Sequence, residues 1–160
     1  MNIVPLASKH VSALAALMAA SPLLRRYGIT DRGARSSLRA ALRRRDLVLI
    51  ATDDAVALGL AWVVVSSALD NAAYLRLLLV AEGRRSRGVG AALLKEAERR
   101  ARAAGSRHML LLVTTTNRRA RAFYAREGYR RVGVLREYAR PRIDEALYVK
   151  DFGRRRARDK

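Results

Sequence analysis

An apolar run, Leu75 to Val80, opens into Ala81-Glu82-Gly83-Arg84-Arg85-Ser86-Arg87-Gly88-Val89-Gly90 and resumes as a helical pattern from Ala91 to Ala104. Strand, glycine-bearing turn and helix N-terminus, in that order, constrain this chain more than any other feature. The first amides of a helix have no intrahelical acceptor, and the helix dipole favours negative charge there. Glycine lets a phosphate approach the backbone closely, so the stretch reads as an anion site for a phosphorylated ligand. The G-x-x-x-x-G-K-[ST] spacing of a P-loop is missing. Only Gly88-x-Gly90 of a dinucleotide fingerprint is present, and the third glycine position is Leu93.

The apolar fraction of 51% over 160 residues suits one globular domain with a sizeable core. There is no cysteine, which excludes disulfides, cysteine-based zinc sites and a thiol nucleophile. No basic, apolar leader opens the chain, and no apolar run reaches about 18 residues, so no membrane partner and a cytoplasmic location are expected. No metal site is expected. The net charge of +19 attracts anions at long range. Of 33 basic residues only Lys9, Lys95, Lys150 and Lys160 are lysine. Arginine in place of lysine beside abundant alanine is also the signature of a GC-rich genome. Nucleic acid is the first partner such a charge suggests. Aromatic content of 6% and the lack of a stacking platform argue against it.

Read in order, Met1 to Leu6 is a strand. Ser8 caps a helix bearing Val11, Leu14 and Met18, which Ser21-Pro22 ends. Leu23 to Thr30 is a loop, and Thr30 or Asp31 caps a helix over Arg32 to Arg44. Leu47 to Ala51 and Ala55 to Ser66 form a hairpin about Asp53-Asp54. Ala73 to Val80 is a buried strand, followed by a helix that Gly105 closes. His108 to Val113 is a strand, and Asn117 opens a helix that Gly128 stops. Tyr129 to Glu137 and Ala146 to Phe152 are the last strands. The sum is an α/β fold: one mixed, mostly antiparallel sheet of about seven strands flanked by about four helices. The Ala73–Val80 and His108–Val113 strands are read as a right-handed parallel crossover. Residues 1–152 are the domain, and 153–160 are expected to be a disordered basic tail.

Arg85-x-x-Gly88-x-Gly90 after the apolar strand resembles the acetyl-coenzyme A motif of the GCN5-related N-acetyltransferases, the GNAT family. Asn117-Arg-Arg-Ala120-Arg-Ala-Phe123-Tyr124-Ala-Arg-Glu-Gly128-Tyr129 resembles that family's second signature. The resemblance implies the acyl-CoA N-acyltransferase fold and acetyl-CoA as cosubstrate. It implies backbone amides of Arg85, Ser86, Arg87, Gly88, Val89, Gly90 and Ala91 on the pyrophosphate. Leu78, Leu79 and Val80 would pair with the pantetheine arm, and Asn117 would hydrogen-bond to it. Tyr124 would be the acid that protonates the leaving thiolate. Asn117 and Tyr124 are two helical turns apart and share a face, which agrees with that assignment. Two departures stand out. Glu82 and Gly83 occupy positions where the family usually has Pro followed by an acid, and Ser86 replaces the first glycine of its usual loop.

Attack on a thioester needs a neutral amine, hence a proton acceptor. The central strand offers Tyr74 and Arg76 but no carboxylate, so Glu82 is the nearest candidate base, with Glu137 and Glu145 behind it. His10 and His108 read as structural. Arg25, Arg26, Tyr27, Tyr138 and Arg140 are candidate acceptor-lining residues. The expected activity is acetyl transfer to a primary amine of a small molecule or peptide, by direct attack in a ternary complex. The alternative is a non-catalytic coenzyme A binder or a basic nucleic-acid-associated module. Homodimerisation, common in the family, is not visible in the sequence.

Overall fold

A computed structural model describes residues 1–54 and 56–153. The expected tail therefore lies outside the described residues from position 154 onward. The chain divides into two compact units, Met1–Val64 with Leu75–Arg99, and Val65–Tyr74 with Arg100–Lys160.

The first unit carries β1 (Asn2–Pro5), α1 (Val11–Ala20), α2 (Pro22–Arg26), α3 (Asp31–Arg44), β2 (Leu47–Asp53) and most of β3 (Val56–Ser66). It also holds the C-terminal part of β4 (Ala72–Val80) and the first turns of α4 (Val89–Ala103). Here the sheet order is β1-β2-β3-β4. β2 is antiparallel to both neighbours, with Val4 opposite Ile50 and Ile50 opposite Leu60. Leu14 and Met18 of α1 join Ala34, Leu38 and Ala41 of α3 in a core with Val48, Ile50, Leu60, Trp62 and Leu79. The other face is buried too: Leu49, Ala61 and Val63 are fully enclosed. Each fully buried leucine contributes about 1.5–3 kcal/mol over an exposed one.

Local chemistry fixes the helix ends. The Thr30 hydroxyl accepts from the Gly33 amide at 3.1 Å and starts α3. Arg45, left-handed at φ 58°, ends it as the Asp46 amide donates back to Ala41 O at 3.0 Å. Ser21-Pro22 does end α1, but it also starts α2, where the sequence suggested a loop from Leu23. Proline suits a first helical position because its missing N–H would have no partner there. The Ser21 side chain accepts from the Leu24 amide, so one residue pair serves as stop and start.

The second unit holds β5 (His108–Thr114), α5 (Arg118–Arg126), β6 (Arg130–Arg140) and β7 (Ile143–Asp151), ordered β5-β7-β6. β7 is antiparallel to both neighbours, with Leu111 opposite Tyr148 and Thr114 opposite Glu145. Gly105 (φ 96°) closes α4, and the Ser106 hydroxyl donates to Asn71 O at 2.7 Å. The β6–β7 hairpin is longer than its apolar pattern suggested. Arg140 pairs with Ile143 across Pro141-Arg142, and Arg142 takes φ 63°. Register shifts between Arg131 and Gly133 and between Leu135 and Arg140 break the period of two that marks a strand in sequence.

Candidate functional site

In the first unit, β4 leads through Ala81 into a tight helical turn, Glu82–Arg84, and then the loop before α4. The Ala81 amide donates to Leu58 O at 2.8 Å, which ties the end of β4 to β3. Ser86 and Gly88 are left-handed, with φ of 61° and 78°. The Gly88 carbonyl accepts the first helical bond, from Ala92 at 3.0 Å. The amides of Val89, Gly90 and Ala91 thus stand ahead of the intrahelical ladder, as an anion site requires. Nothing lies within 4 Å of the β-carbon position of Gly88, so the loop backbone there is open to a ligand.

The left-handed backbone at Ser86 accounts for the glycine that the family's usual loop has at this position. A side chain there costs about 1–2 kcal/mol of local strain. Ser86, Arg87 and Gly88 are exposed, whereas Val89 is buried and anchors the helix. Arg85 points back toward Glu82, Nη1 to Oε1 at 3.2 Å, a pair three residues apart in which Arg85 is half-buried and Glu82 exposed. The candidate base is therefore a solvated, ion-paired carboxylate in this structure.

Sequence reasoning missed Gly59. A β-carbon there would stand 2.5 Å from Leu79 O and 3.2 Å from both Val80 Cα and Leu93 Cδ1. The signal was present: an isolated glycine inside a strand pattern marks close backbone approach.

In the second unit, the Asn117 side chain accepts from the Ala120 amide at 3.1 Å and caps α5. Its Oδ1 is thereby engaged, while its NH2 group retains donor capacity. One turn on, Arg121 donates to Thr115 O at 3.0 Å and to the Tyr148 hydroxyl at 3.4 Å. It clamps the β5–α5 connection and was not singled out from the sequence, although it sits at i+4 from Asn117 on the same face. Tyr124 is buried, edge-on to Phe123 at 5.1 Å and to Tyr129 at 5.6 Å. Among the described residues its hydroxyl makes no hydrogen bond, yet no fully enclosed side-chain oxygen lacks a partner. The hydroxyl of Tyr124 is thus not fully enclosed, although the residue is buried. Burial pushes the phenol above its ordinary value of 10.0, so it stays protonated through neutral and mildly alkaline pH.

The other candidates fall as follows. Glu145 is buried on β7 opposite Thr114. Glu137 is exposed and structural, its carboxylate accepting from the Arg142 amide at 2.7 Å. His10 Nδ1 accepts from the Ala7 amide at 3.0 Å, and burial then Lys9 lower its pKa. His108 Nε2 lies 3.8 Å from Asp151 at the start of β5. Arg25 and Arg26 are exposed at the end of α2, and Tyr138 and Arg140 are exposed on β6. Among the described residues no cluster could hold a metal ion, and no helix is long and apolar enough to cross a membrane.

The family model described as "Acetyltransferase (GNAT) family" matches residues 17–129. Among solved structures, an aminoglycoside 6'-N-acetyltransferase complexed with coenzyme A is similar at TM-score 0.83 and 15% identity, covering 98% of this chain and 100% of its own. The ribosomal-protein-S18-alanine N-acetyltransferase of Escherichia coli follows at TM-score 0.78 and 19% identity, with 99% and 98% covered. The PaiA N-acetyltransferase of Thermoplasma acidophilum, in complex with coenzyme A, has TM-score 0.75 and 16% identity, with 94% and 98% covered. At these identities the likeness shows the fold: a seven-stranded mixed sheet flanked by helices, as the sequence led one to expect. No curated protein sequence matches.

Proposed function

The chain belongs to the acetyltransferase (GNAT) family, and on that premise we propose that it moves an acetyl group from acetyl-CoA to a primary amine of a small molecule or protein. The observation that carries this reading is the loop before α4. Its left-handed Gly88 and the amides of Val89, Gly90 and Ala91 form an open anion site directly after a buried strand. Two of the similar structures are complexes with coenzyme A, which supports the choice of ligand.

Bound acetyl-CoA would supply the thioester that the amine attacks. The chain's own residues do the rest. The amides from Arg85 to Ala91 hold the pyrophosphate, and the exposed Arg84 and Arg87 add charge around it. The backbone of Leu78, Leu79 and Val80 would pair with the pantetheine arm, and an amide near Val80 would steady charge on the carbonyl oxygen. Asn117 would offer its NH2 to the pantetheine arm while its Oδ1 caps α5. Tyr124 would donate its phenolic proton to the departing sulfur, and burial keeps the phenol protonated at neutral pH. Glu82 accepts the proton lost by the amine; its exposure lets it pass the proton to bulk water.

The test is calorimetric titration with acetyl-CoA, followed by thiol release across a panel of amino acids, polyamines, aminoglycosides and peptides. Saturable binding and release with at least one amine support the reading. The absence of binding sinks it. Binding with no release on any amine would reduce the protein to a coenzyme A binder. Glu82→Gln should lower turnover without weakening acetyl-CoA; unchanged turnover removes Glu82 from the reaction.

A further inference from the structure

Residues 118–142, all in the second unit, contain nine arginines and two glutamates. A uniform spread of the chain's +19 would place a net charge of about +3 there, whereas the segment carries +7. Residues 21–45 carry the same net charge of +7, so what sets 118–142 apart is where the structure places its arginines.

The structure shows where this charge goes. β6 is the edge strand of its unit and is exposed along nearly its whole length. Arg130, Arg131 and Arg136 on β6, and Arg126 at the end of α5, are exposed. None of these four side chains makes an ion pair or hydrogen bond among the described residues. By register, Arg131, Val134 and Arg136 share one face of the strand. Tyr138 is 66% exposed two residues beyond Arg136, and Val132 is 45% exposed on the bulge beside Arg131.

Charged residues do guard sheet edges against pairing, but one or two suffice for that. Here unpaired guanidinium groups recur over about 20 Å of strand, with an open aromatic ring two residues beyond. Guanidinium matches phosphate oxygens in a planar, bidentate fork. A free tyrosine face stacks on any base. We propose that the β6 edge, with Arg126 of α5, binds single-stranded nucleic acid through its phosphates, with Tyr138 stacking on a base. The aromatic content that argued against this in sequence says nothing about position, and Tyr138 stands on the arginine-bearing strand. The proposal does not depend on acetyl transfer, and none of its residues is among those given to the cofactor.

The experiment is fluorescence anisotropy with a labelled oligouridylate of about twenty nucleotides, longer than known single-strand site sizes, over a range of salt. Wild type should bind with an affinity that falls steeply with salt. The triple variant Arg130→Gln, Arg131→Gln, Arg136→Gln should bind at least tenfold weaker, and its salt slope should be shallower by about 2, since each single-strand phosphate contact contributes about 0.7. Tyr138→Ala should weaken binding by about tenfold with the slope unchanged. A comparator with the same charge loss, Arg32→Gln, Arg39→Gln, Arg43→Gln on α3, should bind as wild type does. Equal loss in both triples would reduce the effect to net charge and overturn the site. Equal affinity for labelled polyglutamate would assign the face to an acidic protein instead. Displacement by acetyl-CoA would move binding to the α4 loop and also overturn the proposal. Circular dichroism checks each variant's fold. Should the triple not fold, Arg131→Gln and Arg136→Gln singly should each lower the slope by about 0.7, and no change in either refutes the idea.

Discussion

A β-carbon on Gly59 would stand 2.5 Å from the carbonyl oxygen of Leu79. Both sides of that contact are backbone, so neither can rotate away. The Ala81–Leu58 hydrogen bond at 2.8 Å holds the strands at this separation. The glycine thus sets the course of the strand end to which we assign the pantetheine arm.

Gly59→Ala should lower stability by about 1–3 kcal/mol, the ordinary cost of overpacking, and weaken acetyl-CoA binding as Leu79 and Val80 shift. Thermal melting and calorimetry together check this. An alanine variant with unchanged melting and unchanged affinity would mean that the strands separate there at no cost.

The two left-handed residues of the α4 loop should respond in opposite directions. Ser86→Gly relieves strain and should raise stability by up to about 1 kcal/mol, whereas Gly88→Ala should lower it by about 1–2 kcal/mol. No atom lies within 4 Å of the Gly88 β-carbon position, so any loss there is conformational and not steric. Gly88→Asn, which tolerates the same backbone, should recover part of it. If alanine and asparagine behave alike at 88, the left-handed backbone is not what the position demands.

Asn117 carries two assignments that can be separated. Asn117→Ala removes the cap and should cost about 1 kcal/mol. Asn117→Asp keeps an acceptor for the Ala120 amide but loses the NH2 donor. It should therefore melt as wild type does yet bind acetyl-CoA more weakly. Were melting and affinity to move together across both variants, the cap alone would account for the residue.

What the sequence made legible was local. Asn117 with Ala120, Thr30 with Gly33, and the glycines at 105 and 128 all act within a turn or so of themselves, so spacing along the chain was enough to find them. Gly59 acts on Leu79, twenty positions away; a glycine in an apolar run marks a close approach, but nothing in the run says which neighbouring backbone comes close. α2 was hidden because Pro22 is both a stop and a start, and only the Ser21 side chain decides in favour of a new helix. The long β6–β7 hairpin was hidden by its register shifts. The exposure of β6 on both faces depends on what packs over it, which no local pattern reveals.

Tyr124 links activity and stability to pH in different ways. In the folded state its pKa is raised, so its contribution to stability is fully present below the unfolded value of 10.0 and is lost as pH rises beyond it. Stability should fall above pH 10.0 by at most about 1.4 kcal/mol per pH unit from this group. Tyr124→Phe should flatten that fall when melts are compared across alkaline pH. The same variant should lower turnover at neutral pH with little change in acetyl-CoA affinity. A wild-type alkaline profile in Tyr124→Phe would assign the loss to other groups.

Trp62 is the only tryptophan, enclosed in the core of the first unit with its indole N–H donating to Asp46 at 3.0 Å and the Arg76 guanidinium over its ring. Five of the six tyrosines, including the edge-to-face pair Tyr124 and Tyr129, belong to the second unit. Indole fluorescence and the near-ultraviolet dichroism of the tyrosines therefore report on separate parts of the molecule without any label. Coincident transitions in the two signals would mark unfolding as one cooperative event. Two midpoints would mean that each half of the chain keeps its own structure when the other is lost.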